Sequence, residues 1–223
     1  MWKKKLFHGI GQTIMAAVLF LLAGAAQAQS LSSVCEEVRA FVSEGDLVFV
    51  EIDNNLFTKV AQTQNHWASH VGVAMKHEGE WVVAESTIPK SKMTPLCEFL
   101  GKGIDSTIGI RRPNTELTDD EIIGLHEAAE ERMGVLYHTG FKLHSKRLFC
   151  SKFVDQIYSQ AANRNVGSIQ TFDELLKHTE YPEVVKFWRW WFFGFIPWNR
   201  ETLTPATQYL DPNFETIYEH HAN

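Results

Sequence analysis

The chain has 223 residues, a length that fits one domain with an appendage. Hydrophobic residues make up 44% of it, as in an ordinary globular protein. Its 27 acidic residues outnumber its 21 basic residues, and no basic stripe runs along the sequence, which argues against nucleic-acid binding.

The first 28 residues have the pattern of a secretory signal peptide. Three lysines precede the apolar run IMAAVLFLLAGAA, and the small residues of AQA follow it. We predict cleavage after Ala28 and a location in the periplasm or outside the cell. The alternative is an uncleaved anchor, which is less favoured because a membrane span needs about 20 apolar residues.

The chain has three cysteines, Cys35, Cys97 and Cys150. An odd number leaves at least one thiol unpaired unless it bonds another chain. A disulfide between Cys35 and Cys97 is one open alternative, and it would leave Cys150 free. The sequence contains no CxxC pair and no HExxH motif, so we predict no structural zinc site and no metal or organic cofactor.

Four strands are predicted in the first half of the chain. They are Leu47–Ile52, Ser69–His77, Trp81–Thr87 and residues 106–113. The second and third form a predicted antiparallel hairpin with a tight turn. Short helices are predicted at Ser33–Ser43, within the polar connection after the first strand, and at Lys92–Leu100.

Helices dominate the second half. Thr118 and Glu121 predict a capping box for a helix that runs to about Met133. A second helix begins at Cys150 or Ser151.

Another capping box, Thr171 with Glu174, predicts a further helix. Strands therefore come first and helices follow. This segregation predicts an α+β fold built around an antiparallel sheet.

Cys150 stands where a helix N-terminus favours a thiolate over a thiol. A catalytic thiol also needs a base, and the histidines in suitable settings are His66, His70, His138 and His144. His70 differs from the others because it begins an apolar strand, which holds the ring in one direction. The alternative for Cys150 is a buried structural cysteine, and for His70 a hydrogen-bonded core histidine.

Glu85 lies on the next strand and can orient His70 only in one register. A two-residue turn at Glu78-Gly79 pairs His70 with Thr87 and places Glu85 diagonally on the same face. A three-residue turn moves Glu85 to the other face. The sequence leaves both alternatives open.

At this point the sequence resembles a known family. The stretches GDLVFV, SHVGVAM, WVVAES, GVLYHTGF and LFCSKFVDQIY, and more weakly TPATQYLDPNF, are similar to the permuted papain-like cysteine hydrolases of the NlpC type, in the YiiX/YebB-like branch. In this branch the histidine strand precedes the cysteine helix. The resemblance implies a permuted papain-like catalytic domain at residues 29–180, with an aromatic-rich extension at 181–223 packed on it or completing it.

The resemblance also assigns roles to residues. Cys150 is the implied nucleophile, His70 the base and acid, and Glu85 the orienting group. Asp46 matches a structural Gly-Asp, and Tyr137 matches a tyrosine that lines the cleft.

Ser69 and Ser151, next to the histidine and the cysteine, are further predicted substrate-binding residues. The Cys150 backbone N–H is one implied oxyanion donor, and the second is unassigned. Two positions depart from the family pattern, because His138 stands where Asp is frequent and Lys152 where Glu is frequent. Both departures affect the expected substrate pocket.

The implied reaction is cleavage of an amide bond through a thioester. A peptidoglycan stem-peptide endopeptidase or amidase is the first predicted function. The second is an acyl-lipid or N-acyl amino acid amidase or acyltransferase, and the third is a non-catalytic binding module on a degenerate fold.

The segment KFWRWWFFGFIPWNR, Lys186–Arg200, bears on this choice. Aromatic residues beside Lys and Arg suit a membrane interface. The alternatives are a loop packed over the catalytic domain and a docking surface for a protein. The residues predicted to contact a membrane are Trp188, Trp190, Trp191, Phe192 and Phe193.

Overall fold

The computed structural model describes residues 31–103, 105 and 107–222. The predicted signal peptide and its cleavage site lie outside these residues. Within the described ranges, no helix is both long enough and apolar enough to cross a membrane.

The described chain alternates short strands and helices. The strands are β1 Leu47–Val50, β2 His70–His77, β3 Glu80–Glu85, β4 Lys92–Pro95, β5 Thr107–Pro113, β6 Gln170–Thr171, β7 Glu201–Thr202 and β8 Phe214–His221. The helices are α1 at residues 31–39, α2 Asn55–Thr63, α3 Leu96–Gly101, α4 Asp119–Glu130, α5 Cys150–Ala162, α6 Phe172–Lys177, α7 Glu183–Trp191 and α8 Pro205–Tyr209.

Six strands form one antiparallel sheet in the spatial order β4-β3-β2-β1-β5-β8, and β6 and β7 form a separate pair. Helices α4 and α5 pack against one face of the large sheet, around Phe49, Val73 and Phe153. Helices α1 and α3 cover the other face, around Val48 and Phe99. Burial on both faces explains why β1 and β2 read as nearly continuous apolar runs. The predicted α+β fold is confirmed.

The third group of buried side chains, the aromatic cluster, lies under α2, α6 and α7. Its rings are those of Tyr137, Phe141, Phe149, Phe172 and Trp188. Neighbouring rings meet mostly edge to face, with centroids 5.7 Å apart for Phe141 and Trp188. The prediction that Trp188 contacts a membrane is wrong, because its side chain is only 2% exposed and its ring N–H donates to the Thr63 hydroxyl.

Helix ends agree well with the sequence. The capping boxes at Thr118 and Thr171 are both present, each with the glutamate three residues further on. Helix α5 begins at Cys150, one of the two predicted starts, and ends at the predicted Ala162.

The predicted helix at Lys92–Leu100 is wrong in its first half. Residues Lys92–Pro95 form β4, which pairs with β3 at the edge of the sheet, and α3 begins only after Pro95. An edge strand of four residues that ends in proline has no alternation long enough to reveal it. Pairing with β3 determines its structure.

The C-terminal segment contributes directly to the large sheet. Strand β8 pairs with β5 along its whole length, apart from a bulge between Ile110 and Arg111. Residues 181–223 therefore supply both a helix over the aromatic cluster and an edge strand.

A disulfide joins Cys35 of α1 to Cys97 of α3, with the two Cα atoms 5.3 Å apart. Of the two alternatives that the sequence left open, the structure contains the pairing. Cys150 is a free, buried thiol.

Candidate active site

Cys150 is the first residue of α5. The preceding residue, Phe149, has extended backbone angles, makes no side-chain hydrogen bond to the helix and places its ring in the aromatic cluster. Because no side chain caps this helix, its first N–H groups are free to face the sulfur. The Ser151 N–H is one of them, and its hydrogen bond favours the thiolate.

His70 is the first residue of β2 and is fully buried. Its ring lies between Phe57 and Phe99, with centroid distances of 5.5 and 5.6 Å. Its Nε2 is 2.5 Å from a carboxylate oxygen of Glu85. Its Nδ1 is buried with no hydrogen-bond partner, and the Cys150 thiol is a neighbour that raises the pKa of the ring. The ring therefore links the sulfur to the carboxylate.

The turn between β2 and β3 decides that contact. His77 pairs with Glu80, so the turn has two residues, Glu78 and Gly79, both with positive φ. This is the first of the two registers considered from the sequence. It places Gly72 opposite Glu85, and a Cβ on that glycine would lie 2.8 Å from the Ala84 carbonyl oxygen. Because Gly72 has no Cβ, strands β2 and β3 can pair closely beside the Glu85 carboxylate.

Glu85 is fully buried and accepts three hydrogen bonds. Besides His70, the donors are the Thr94 hydroxyl and the Lys102 ammonium, each at 2.5 Å. The ammonium also lies 4.6 Å from the centroid of the Phe99 ring. Sequence reasoning missed both donors, because the sequence predicts a helix at Thr94 and shows no motif around Lys102.

These contacts set the protonation of the site. Burial favours a neutral carboxyl, but the bonds to His70 and Lys102 outweigh it and lower the pKa of Glu85 to about 2. Burial likewise opposes the charge on His70, yet its bonds to Cys150 and Glu85 raise the ring pKa to about 8. Burial would raise the pKa of the Cys150 thiol, but the hydrogen bond and charge of His70 lower it. The lowered pKa of the thiol and the raised pKa of the imidazole both favour transfer of the thiol proton to His70.

Tyr137 stands on the other side of the sulfur. Its side chain is buried, and its hydroxyl has no oxygen or nitrogen partner. Burial and the negative charge on Cys150 raise its pKa well above the ordinary value, so the phenol stays protonated. It is a hydrogen-bond donor held beside the thiol and the Cys150 backbone N–H.

The two predicted serines have structural contacts. The Ser69 hydroxyl accepts from the Ile52 N–H at 2.8 Å, and the Ser151 hydroxyl donates to the Leu203 carbonyl at 3.0 Å. These bonds fix the backbone beside His70 and Cys150.

Cys150 lines a cavity of about 30 Å³, which is room for about two water molecules. Its walls are mostly apolar, and the aromatic cluster forms much of them. The other lining residues are Val60, Thr63, Ser69, Ser151, Leu175, Thr202, Leu203, Thr204 and Pro205.

The two departures from the family pattern lie outside this lining. The Lys152 ammonium donates to the carbonyls of Ser145 and Arg147 and so holds the loop before α5. His138 accepts from the Gly140 N–H, and burial lowers its pKa.

A helix-terminal cysteine beside a histidine on an antiparallel sheet defines a papain-like cysteine hydrolase, and the histidine-first order is the permuted one. The family model for permuted papain-like amidases, YaeF/YiiX, C92 family, matches residues 41–218. The match spans most of the chain, and the chain belongs to this family.

Two relatives support the same assignment. The chain is 25% identical over 174 residues to the uncharacterized protein YiiX of Escherichia coli (strain K12). The aligned residues cover 78% of this chain and 84% of that protein. The crystal structure of metalloprotein yiiX from Escherichia coli O157:H7 superposes with a TM-score of 0.73 at 22% identity, covering 80% of this chain and 98% of that one. The second likeness shows the fold.

We predict that Glu85→Gln weakens the ion pair. Glutamine retains a hydrogen-bond acceptor but removes the charge that stabilises the imidazolium, so the thiolate fraction falls. The alkylation rate of Cys150 by iodoacetamide at pH 6 should fall by about tenfold, since one pKa unit corresponds to a tenfold change. Glu98→Gln on the exposed side of α3 is the matched control and should alkylate like the parent chain. An unchanged rate in Glu85→Gln would contradict the role given to this carboxylate.

Proposed function

We propose that the protein hydrolyses amides of unbranched apolar acyl groups through a thioester on Cys150. The observation that carries this proposal is the small, mostly apolar cavity that Cys150 lines. The family supplies the reaction class, a papain-like amidase.

The first half of the reaction is acylation. The Cys150 thiolate attacks the amide carbonyl carbon, and a carbon–sulfur bond forms. The His70 imidazolium then gives its proton to the leaving nitrogen as the carbon–nitrogen bond breaks. The amine leaves, and the acyl group remains as a thioester.

The second half is deacylation. Neutral His70 takes a proton from water, and the resulting hydroxide attacks the thioester carbonyl. The carbon–sulfur bond breaks, the carboxylic acid leaves, and the thiolate–imidazolium pair is restored. Glu85 stabilises the imidazolium in both halves and holds the ring in place.

Two donors suit the oxyanion that forms at each attack. One is the Cys150 backbone N–H at the uncapped start of α5, and the other is the Tyr137 hydroxyl. A donor that stays protonated in a buried site stabilises developing charge strongly, because water is excluded. This assigns the second donor that the sequence left open.

Removal of the Tyr137 hydroxyl tests that assignment. Tyr137→Phe should lower kcat by about 10²–10³, the usual loss for one oxyanion donor, with little change in KM. Tyr181→Phe, at an exposed tyrosine, is the control and should retain full activity. If Tyr137→Phe retains the parent kcat, the phenol only lines the cavity.

The cavity favours an acyl chain over a peptidoglycan stem peptide. A stem peptide carries charged and polar groups, and burial of such groups without partners is costly. An unbranched acyl chain has the smallest cross-section of the apolar groups and needs no polar partner. Peptidoglycan, the first substrate predicted from the sequence, is the competing substrate. The periplasmic or secreted localisation stays a prediction.

The structural relative from Escherichia coli O157:H7 is described as a metalloprotein. In this chain, the described residues contain no group of three or more His, Cys, Asp or Glu able to hold a metal ion. Each step given above uses only the side chains of this chain and water.

A chain-length series tests the substrate class. Butyryl p-nitroanilide should be cleaved with a kcat/KM at least tenfold higher than acetyl p-nitroanilide, because the cavity has room for roughly two more methylene groups and each buried methylene contributes up to about 0.8 kcal/mol. Val60→Phe, which narrows the cavity, should remove most of this preference. Val185→Phe, at another half-buried helical valine that does not line the cavity, should preserve it.

Purified peptidoglycan serves as the competing arm of the same experiment, with Cys150→Ala as the blank. Defined fragments from peptidoglycan, together with no preference for butyryl over acetyl p-nitroanilide, would overturn the acyl proposal.

A further inference from the structure

The exposed end of α7 presents three large aromatic side chains to solvent. Trp190, Phe193 and Phe195, which we call the aromatic tip, are 70%, 96% and 86% exposed. Trp190 and Phe193 line a groove to which Lys186 and Arg189 also contribute. We propose that the aromatic tip docks this protein on the surface of an anionic lipid bilayer.

Folding gives no reason for these side chains. Phe193 has φ of 54°, a left-handed backbone conformation that is unfavourable for a bulky residue. The conformation turns the ring outward, where it gains almost no burial. Trp188 on the same helix is fully packed and Trp191 is half-buried, so the helix separates rings that stabilise the fold from rings that do not.

The two segments beside the tip are rich in basic residues, although the whole chain is acidic and Glu183 and Glu201 flank residues 184–200. Residues 184–200 contain three Lys or Arg and no Asp or Glu, and residues 138–154 contain four and none. The two segments touch. The Trp191 ring N–H donates to the Thr139 carbonyl at 2.9 Å, and Arg200 donates to the Gly140 carbonyl at 2.7 Å.

Most basic side chains of the two segments are exposed. Lys186 and Arg189 line the groove, and Lys142, Lys146 and Arg147 are exposed elsewhere, on residues 138–154. Each basic residue near an anionic bilayer surface strengthens binding through its attraction to the lipid headgroups. Aromatic rings with flanking Lys and Arg are the combination found at membrane interfaces.

A second copy of the chain is a poorer partner for this surface. In a twofold dimer the same patch meets itself, so cations would face cations. An anionic bilayer neutralises those charges and takes up the rings among its headgroups.

The location of the tip links docking to the catalytic cavity. Helix α7 presents Trp190 outward and lines the cavity with Trp188. A docked bilayer therefore lies about one helix diameter, roughly 10 Å, from the cavity wall. The step from docking to an acyl-lipid substrate rests on the proposed function, whereas docking itself does not.

Vesicle sedimentation tests the docking. The full chain and its variants are mixed with vesicles of phosphatidylcholine alone or with one quarter phosphatidylglycerol, so any contribution of residues 1–28 is common to all samples. The parent chain should bind the anionic vesicles more tightly, and the triple variant Trp190→Ser, Phe193→Ser, Phe195→Ser should lose at least tenfold in partition coefficient. The matched control replaces Ile123, Ile169 and Leu210, which are exposed elsewhere on the surface, by serine and should bind like the parent.

Two readouts separate docking from catalysis. Cys150→Ala should bind vesicles like the parent, and the triple tip variant should cleave soluble butyryl p-nitroanilide at the parent rate. Lys186→Glu with Arg189→Glu should remove most of the preference for anionic vesicles.

Equal vesicle binding by the parent and the tip variant would overturn the proposal. A parent that fails to bind anionic vesicles would also overturn it. Analytical ultracentrifugation gives a third such result. If the parent chain is a dimer and the tip variant is a monomer, the surface is an interface between copies and the proposal is overturned.

Discussion

The site depends on one buried charge, the carboxylate of Glu85. A carboxylate with no exposed surface is unfavourable unless donors surround it, and here His70, Thr94 and Lys102 all donate to it. Lys102 lets the carboxylate stay ionised, and the ionised carboxylate lets His70 carry a proton. The protonated His70 in turn favours the thiolate of Cys150. Loss of the charge on Lys102, Glu85 or His70 therefore changes the protonation of the group next to it.

The fold provides the rigidity that such a series needs. His70 and Glu85 occupy neighbouring strands, and a two-residue turn fixes their register. Cys150 enters from a different element, the uncapped start of α5, which packs against the sheet face opposite to α3. Helix α3, tied to α1 by the Cys35–Cys97 disulfide, holds Phe99 against the imidazole and leads directly to Lys102. Each reacting group therefore has its own support.

Much of this arrangement was accessible from sequence because its signals are local. A cysteine at a helix start, a histidine at the head of an apolar strand and a glutamate on the following strand are visible within short windows. The pairing register of β2 and β3 could not be decided from the sequence, because Glu78-Gly79-Glu80 can form a turn of two or of three residues.

Other features depend on tertiary contacts that no window contains. Lys102 and Thr94 lie too far from His70 in the sequence for a short motif to connect them. Strand β4 is a strand only because it pairs with β3. Trp188 was predicted to contact a membrane together with the aromatic residues next to it in the sequence. On the helix its side chain points into the core. Composition identified the aromatic segment, and only the packing divides it into a buried part and an exposed part.

The most direct measurement for the central claim is the intact mass of the protein during turnover of a butyryl ester, followed by peptide mapping. The account predicts a transient butyryl adduct on Cys150 that is absent in Cys150→Ala and forms much more slowly when His70 is replaced by alanine, because the reactive thiolate needs the imidazolium beside it. An adduct on another residue, or turnover with no adduct on Cys150, would contradict it.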